Sequence, residues 1–479
     1  MSLKKQALSG MGWTFFQQFS TQGILFVVSI VLARLLLPAE FGLIAMIGIL
    51  IAVGNTLVDS GLSLSLIRTV DADEEDFSTV FYFNLAFSIL IYIIVFLIAP
   101  YVSLFYNQPI LINVIRIYGL IFIINSFSTV QTTRLTKLMD FETQMKVSIP
   151  SLVVSSVVGI SMAYSGYGVW SLVISAVVRS TLNTVQLWFW SKWTPLWSFS
   201  TEKFRYHFNY GSKFLFSSIL DIMFLNAYAI IIGKFFAPAT LGYYNRADTL
   251  QQLPVLNISN VLNKVTFPLF VTIQDDDVRL KIVYSKIMKM VIFLVAPILI
   301  IMAFLAEPLF RFLFTEKWLP SVPYFQILCI NGILFSIHSY NLAILKVKGY
   351  SSLFLKLEIF KKIMIVVIVA IAFQFGIYGL LYGSVVASLL AFFINTHYSG
   401  KFLNYPAWSQ IKDLLPTIFI ALIAGSGSYG IDYLLKIENV SDFFRLLLGG
   451  FGGVLLFVSI ALLFNFDSYK ELKSIILRK

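Results

Sequence analysis

The sequence predicts an all-α integral membrane protein: about fourteen transmembrane helices, arranged as two parallel six-helix repeats (an N-lobe and a C-lobe) followed by two C-terminal helices. Three observations predict it. Of the 479 residues, 58% are hydrophobic and 12% charged, about half the roughly 25% of charged residues found in soluble domains. Apolar segments of the roughly 20 residues needed to cross a bilayer follow one another with little between them. Finally, Ala33-Arg-Leu-Leu-Leu-Pro-Ala-Glu-Phe-Gly42 and Gly233-Lys-Phe-Phe-Ala-Pro-Ala-Thr-Leu-Gly242 carry a cation, large apolar residues, a Pro-Ala turn and a glycine in the same order.

Taken in order, the spans are expected at residues 11–35, 40–66, 77–100, 110–134, 145–165, 168–190, 208–235, 240–268, 284–306, 322–346, 354–375, 378–399, 414–435 and 443–465. The first is broken by Gln17, Gln18 and Gln22 and has no small-residue cleavage site, so it reads as a span and not as a removable signal peptide. The longest polar gaps, 191–207, 269–283 and 400–413, are too short to hold a soluble domain. The lobes are placed at 1–200 and 201–402, with 403–479 forming the last two helices and a tail.

Alternate loops hold most of the cations: Lys4/Lys5, Arg68, Arg134/Lys137/Lys146, Lys192/Lys203/Arg205, Arg279/Lys281, Lys346/Lys348/Lys356, Lys401/Lys412 and the tail. The other set holds Arg34, Lys234, Arg311, Lys317, Lys436 and Arg445. The excess places both termini in the cytoplasm of a multi-pass inner-membrane protein. The net charge of +11 then faces anionic lipid and is no argument for nucleic acid.

The repeat runs through further landmarks. Thr69-Val-Asp71-Ala-Asp73 matches Thr272-Ile-Gln-Asp275-Asp276, Ala99-Pro100-Tyr-Val-Ser-Leu-Phe105 matches Ala306-Glu-Pro308-Leu-Phe-Arg-Phe312, and Gly166-Tyr-Gly168-Val-Trp170 matches Gly376-Ile-Tyr-Gly379-Leu380. Six helices per copy is an even number, so both copies share one orientation, as in parallel-repeat transporters.

This six-plus-six-plus-two pattern resembles the multidrug/oligosaccharidyl-lipid/polysaccharide (MOP) flippase superfamily. Leu8-Ser-Gly-Met-Gly-Trp13, Leu32-Ala-Arg-Leu-Leu-Leu-Pro-Ala-Glu-Phe-Gly42, Asp59-Ser-Gly-Leu62 and Leu241-Gly-Tyr-Tyr-Asn-Arg-Ala247 narrow the resemblance to its polysaccharide-transporter branch of Wzx-type flippases, over essentially the whole chain. Leu37 and Ala237 depart from the glycine that such turns often place before proline. The resemblance implies a V-shaped bundle like that of MATE and MurJ transporters, with alternating access to a cavity bordered by helices 1, 2, 7 and 8.

Ionisable groups inside spans cost about 2.5–3.5 kcal/mol each at the helix centre and point to function. Polar stripes at helical spacing run through Thr14, Gln17, Gln18 and Thr21; Asn55, Asp59 and Ser63; Lys213, Ser217 and Asp221; and Asn245, Asp248 and Gln252, with Arg246 beside them and Ser259, Asn263 and Lys264 beyond. Arg116 and Arg179 lie in the fourth and sixth spans. The candidate substrate-binding set is Gln18, Asp59, Arg116, Arg179, Lys213, Asp221, Arg246, Asp248 and Lys264: cations for pyrophosphate or acidic sugars, amides and hydroxyls for sugar hydroxyls. The alternative is that these groups pair between helices or snorkel, which is the reading given to Arg34 and Lys234 beside their turns.

Other features take plainer readings. Cys329 is the only cysteine, so no disulfide framework or multi-cysteine metal site exists. His207, His338 and His397 lack metal-ligand spacing, and no G-x-x-x-x-G-K-[ST] occurs; no metal or cofactor is expected. The acidic run Asp71 to Asp76 contains Asp-x-Asp but reads as a solvated helix start. Trp188, Trp190, Trp193 and Trp197 read as interfacial anchors.

The resemblance implies a flippase, not an enzyme, that carries undecaprenyl-linked oligosaccharide across the inner membrane for O-antigen, capsule or exopolysaccharide assembly. Its expected partners are that lipid-linked substrate, membrane lipids, and a polysaccharide polymerase with its chain-length machinery. Two alternatives stay open at this stage. A cation-coupled multidrug exporter of the same superfamily would want a lumen richer in acids; a multispanning glycosyltransferase or ligase would want catalytic acids on an outer loop.

Overall fold

The computed structural model describes residues 3–466 and 468–470. Among these residues there are seventeen α-helices and no strand. By packing, the chain divides into two compact units, Met1–Gly242 and Tyr243–Lys479.

The first unit contains α1 (Leu3–Leu35), α2 (Pro38–Asp59), α3 (Leu62–Arg68), α4 (Glu74–Tyr106), α5 (Leu111–Lys137), α6 (Phe141–Tyr164), α7 (Val169–Trp190), α8 (Thr201–Leu225), α9 (Ala227–Phe235) and the start of α10 (Pro238–Thr272). The α5 helix is its hub, packed on α2, α3, α4, α6 and α7. The second unit continues with α11 (Asp277–Phe304), α12 (Ala306–Phe314), α13 (Ser321–Val347), α14 (Ser351–Ala372), α15 (Gly376–Leu403), α16 (Ala407–Ile437) and α17 (Asp442–Leu463). There α11 packs on α12, α13, α15, α16 and α17. The expected lobes follow the sequence repeat; the packing units divide later because α8 and α9, which open the second repeat, lie on α2, α3 and α4.

Among the described residues, eleven helical stretches are long and apolar enough to cross a membrane, or twelve with one bent pair, against about fourteen expected. Three places account for the difference. The seventh expected span is bent by 47° at the α8–α9 break. The eighth, α10, is 35 residues long but carries Asn245, Arg246, Asp248, Gln251 and Gln252. The eleventh and twelfth merge into one helical stretch of 52 residues, interrupted by a 3-10 turn at Phe373–Phe375. The chain doubles back there: a Cβ added to Gly383 would lie 2.7 Å from the Ala372 Cβ, so α14 and α15 form a hairpin.

The second expected span also stops early. The α2 helix ends at Asp59 because Ser60 (φ 48°) and Gly61 (φ 70°) take left-handed conformations, the usual helix stop. Gly61 further lies against Gly211, where a Cβ on either would come within 2.6 Å of backbone oxygen.

The duplicated turn explains its own glycines. A Cβ on Gly42 would fall 1.8 Å from the Pro238 carbonyl oxygen, and one on Gly242 would fall 1.9 Å from that of Pro38. The two copies of the motif therefore pack on each other reciprocally, with glycine required where each helix meets the other's turn. Glu40 completes the first copy by accepting the Leu37 N–H at 2.7 Å.

The acidic run caps α4. Asp73 accepts from the N–H groups of Glu75 and Asp76 at 3.0 Å, and Asp76 reaches back to the Asp73 N–H at 2.9 Å, a reciprocal capping box. Lys203 lies 2.6 Å from Asp73 and 3.0 Å from Glu75, and buried His207 bridges Asp76 and Ser65. Trp193 departs from the interfacial expectation: it is buried among Leu62, Leu66, Phe77 and Phe81, its indole N–H donating to Glu74 at 2.5 Å. Trp190 and Trp197 are exposed as expected.

Candidate functional site

Within the first unit, α1, α2, α5, α6 and α7 wall a cavity of about 550 Å³. Its polar lining is Ser29 from α1, Asn55 from α2, Tyr118 and Asn125 from α5, Ser148, Ser155 and Ser156 from α6, and Ser175, Arg179, Ser180 and Asn183 from α7. Leu25, Leu32, Phe41, Leu152 and Leu172 contribute apolar wall.

The rotation of α7 decides what faces this space. Ser180, Thr184 and Trp188, four residues apart, donate to α5: Ser180 to Asn125 Oδ1 at 2.5 Å, Thr184 to the Ile124 carbonyl at 3.1 Å, and Trp188 to the Phe127 carbonyl at 3.0 Å. That pinned stripe turns Leu172, Ser175, Arg179 and Asn183 toward the cavity. Small residues bring α6 close, since a Cβ on Gly159 would meet the Ser175 Cβ at 2.9 Å, the packing that membrane helices favour. Gln17 on α1 donates to Ser148 at 3.0 Å, and Gln186 to Ser151 at 2.8 Å.

Arg179 stands midway along α7. Tyr118 is near enough to interact with it electrostatically. Among the described residues no carboxylate pairs with Arg179, and no carboxylate lines the cavity. Asn125 gives its oxygen to Ser180, leaving its NH2 group as a donor.

Of the seven sequence candidates whose side chains are described, Arg179 alone lines this cavity. Gln18 is exposed on α1. Asp59 accepts from Ser63, whose hydroxyl in turn accepts from Thr133 at 2.9 Å, so it ties α2 to α3 and α5. Arg116 lies over the Phe96 ring, 4.1 Å from its centroid, on the α4 side of α5. Asp221 is exposed on α8. In the second unit, buried Arg246 lies over Phe314 and Trp318 at 4.9 and 5.2 Å, and Asp248 accepts from Gln252 at 2.7 Å. The side chains of Lys213 and Lys264 lie outside the described residues. Sequence reasoning found Asn55 but missed Tyr118, Asn125 and Asn183. Asn183 was findable, one helical turn beyond Arg179; Tyr118 and Asn125 needed the α5–α7 contact. Lys234, read as a turn cation, donates to the Phe105 carbonyl at 2.5 Å.

Comparison with known proteins agrees with this architecture. Residues 31–323 match a family model described as "Polysaccharide biosynthesis protein". The chain is 25% identical to the teichuronic acid biosynthesis protein TuaB of Bacillus subtilis (strain 168), covering 100% of this chain and 99% of that one. It is 23% identical to the lipopolysaccharide biosynthesis protein WzxC of Escherichia coli (strain K12), covering 89% of each. Among solved structures it is similar to the lipid II flippase MurJ in an inward closed conformation, with a TM-score of 0.73 and 13% identity over 97% of this chain and 99% of that one. It is also similar to an inward-facing MATE family multidrug resistance transporter of the MOP superfamily, with a TM-score of 0.59 and 15% identity over 80% and 96%. The resemblance read from the short motifs is borne out: the chain is a multi-pass membrane protein with a MOP-superfamily fold and belongs to the polysaccharide biosynthesis protein family.

Proposed function

We propose that the chain is a flippase moving undecaprenyl-linked oligosaccharide from the cytoplasmic to the outer leaflet of a bacterial inner membrane, by alternating access, for cell-surface polysaccharide assembly. The observation that carries this reading is the family match over residues 31–323 on a chain whose membrane-spanning helices wall a polar cavity. Two relatives are named for polysaccharide biosynthesis and one structural neighbour for flipping a lipid-linked precursor. A lipid-linked sugar needs a hydrated, hydrogen-bonding path for its headgroup while its tail stays in hydrocarbon, and amides and hydroxyls on α2, α5, α6 and α7 supply such groups. The cation count of alternate loops puts both termini in the cytoplasm, and the repeats 1–200 and 201–402 serve as the lobes of the cycle. Polymerase and chain-length machinery then receive the product on the outer face. A lining without carboxylates disfavours an exporter of organic cations, which acids would attract.

Deleting the gene tests the reading. The lipid-linked oligosaccharide is expected to accumulate on the cytoplasmic leaflet, fully assembled and inaccessible to an outer-face label. Normal flipping with loss of one glycosyl transfer step would remove the flippase and reinstate an enzyme.

A further inference from the structure

We propose that the cavity of the first unit is a binding site for a single carboxylate-bearing sugar unit, a uronic acid of the translocated headgroup, held by Arg179. The proposal rests on the flippase reading and names the class of substrate that this site takes.

The argument begins with charge. A guanidinium midway along a membrane-spanning helix is expensive to leave there, and buried charge is normally paired. Other cations in the helices have a partner on the protein: Arg445 is clasped by Asp432 and Asp442, Arg311 by Glu307 and Lys289 by Asp413, while Arg116 and Arg246 lie over aromatic rings. Arg179 has no carboxylate partner among the described residues, yet it faces open space. Its counter-charge must therefore arrive with a ligand.

The size and valence of that ligand follow. A cavity of about 550 Å³ falls in the range of sites for one small molecule, roughly 300–1,000 Å³, so it takes a piece of the headgroup and not the whole oligosaccharide. One guanidinium balances one negative charge. A carboxylate matches it in charge and in the planar two-pronged geometry that arginine prefers. A pyrophosphate brings more charge than this lining offsets, since the other candidate cation of these helices, Arg116, is turned onto Phe96. Around Arg179, the Tyr118 hydroxyl and the Asn125 NH2 group are donors for the carboxylate, while Asn55 and Asn183 offer both donors and acceptors to ring hydroxyls. A neutral sugar would leave the guanidinium without its counter-charge.

Ligand-observed saturation-transfer NMR on the purified full-length protein in nanodiscs tests this with three probes: glucuronate, glucose and inorganic pyrophosphate. Glucuronate is expected to bind about tenfold or more tightly than glucose, the effect of one buried charge-assisted contact, with pyrophosphate no better than glucose. Arg179→Gln should bring glucuronate down to the level of glucose, and Tyr118→Phe should weaken it several-fold. Equal binding of glucuronate and glucose by the unmodified protein overturns the proposal without relying on any variant. Preference for pyrophosphate assigns the site to the lipid's phosphates and overturns the sugar carboxylate. Unchanged glucuronate binding in a folded Arg179→Gln protein moves the anion site elsewhere and overturns it too. The readout is binding, so a glucuronate-selective, Arg179-dependent site in a protein whose deletion leaves flipping intact would uphold the site and remove the flippase.

Discussion

Two arginines on membrane-spanning helices, Arg445 of α17 and Arg179 of α7, are handled in opposite ways. Arg445 is 3% exposed; its Nε and Nη2 donate to the two Asp432 oxygens at 2.8 and 3.0 Å, and its Nη1 donates to Asp442 at 2.7 Å. All three donating nitrogens are committed to protein, and the pair sits where α16 and α17 close on small residues: a Cβ on Gly453 would lie 1.9 Å from the Ser428 hydroxyl. Arg179 is held by the packing of its neighbours Ser180, Thr184 and Trp188, and its own guanidinium is left to the cavity. The same residue type thus serves as a seam in the second unit and, under the proposal above, as a receptor in the first. What separates the roles is whether the fold has already supplied the carboxylate.

The largest expected effect lies on the paired side. Removing one partner of a buried ion pair costs up to about 3–5 kcal/mol where the other charge is left stranded; loss of Asp432 leaves Arg445 with Asp442 alone, so the cost should approach that range without reaching it. Asp432→Ala should therefore lower the thermal unfolding midpoint of the detergent-purified protein sharply. Replacing both partners with apolar residues, Asp432→Leu with Arg445→Met, should recover most of the loss. An Asp432→Ala protein as stable as the parent would break the comparison, since the clasp would then hold nothing together.

The unpaired side should respond in the opposite sense. Arg179→Met removes an uncompensated charge from a membrane-spanning helix, so the unfolding midpoint should stay or rise. Export per molecule should nevertheless fall about tenfold or more, the equivalent of about 1.5–3 kcal/mol for a charge-assisted contact. Quantifying exported polysaccharide against protein abundance separates the two. A fall in export that merely tracks lost protein would make Arg179 a seam like Arg445.

How much of this contrast the sequence exposes depends on the range of the contacts. Helix positions, the repeat and its Pro-Ala turn are local patterns, and they were legible. The function of the motif's glycines was half legible: Gly42 and Gly242 were visible as a repeated pair, but their mutual contact joins positions two hundred residues apart. A polar stripe at helical spacing holds only along a straight helix, and the left-handed turn at Ser60 and Gly61 redirects the Asn55, Asp59, Ser63 stripe. The resulting Asp59–Ser63–Thr133 chain is a tie between helices. Arg116 and Arg179 looked equivalent in sequence; the hydrogen bonds from α7 to α5 show one to the cavity, and an aromatic ring takes the other.

A third kind of cation, at the start of α8 and outside the spans, should give the smallest effect. Lys203 donates to Asp73 at 2.6 Å while Asp73 remains mostly exposed. The Lys203 ammonium holds the Asp73 carboxyl well below the usual carboxylate range, helped by its capping bond with Asp76. Such a water-screened pair is worth under about 1 kcal/mol, so Lys203→Ala should lower the unfolding midpoint slightly. The sign of the pH dependence follows from the depressed value. A carboxyl with a lower folded than unfolded pKa adds stability above its unfolded pKa, about 3.9, and loses it as pH falls toward the folded value. The gap between parent and variant should hold steady through neutral pH and narrow in acid below about pH 4. A large gap that persists in acid would mean that Lys203 acts through packing on α4, and would place it with Arg445 among the seams.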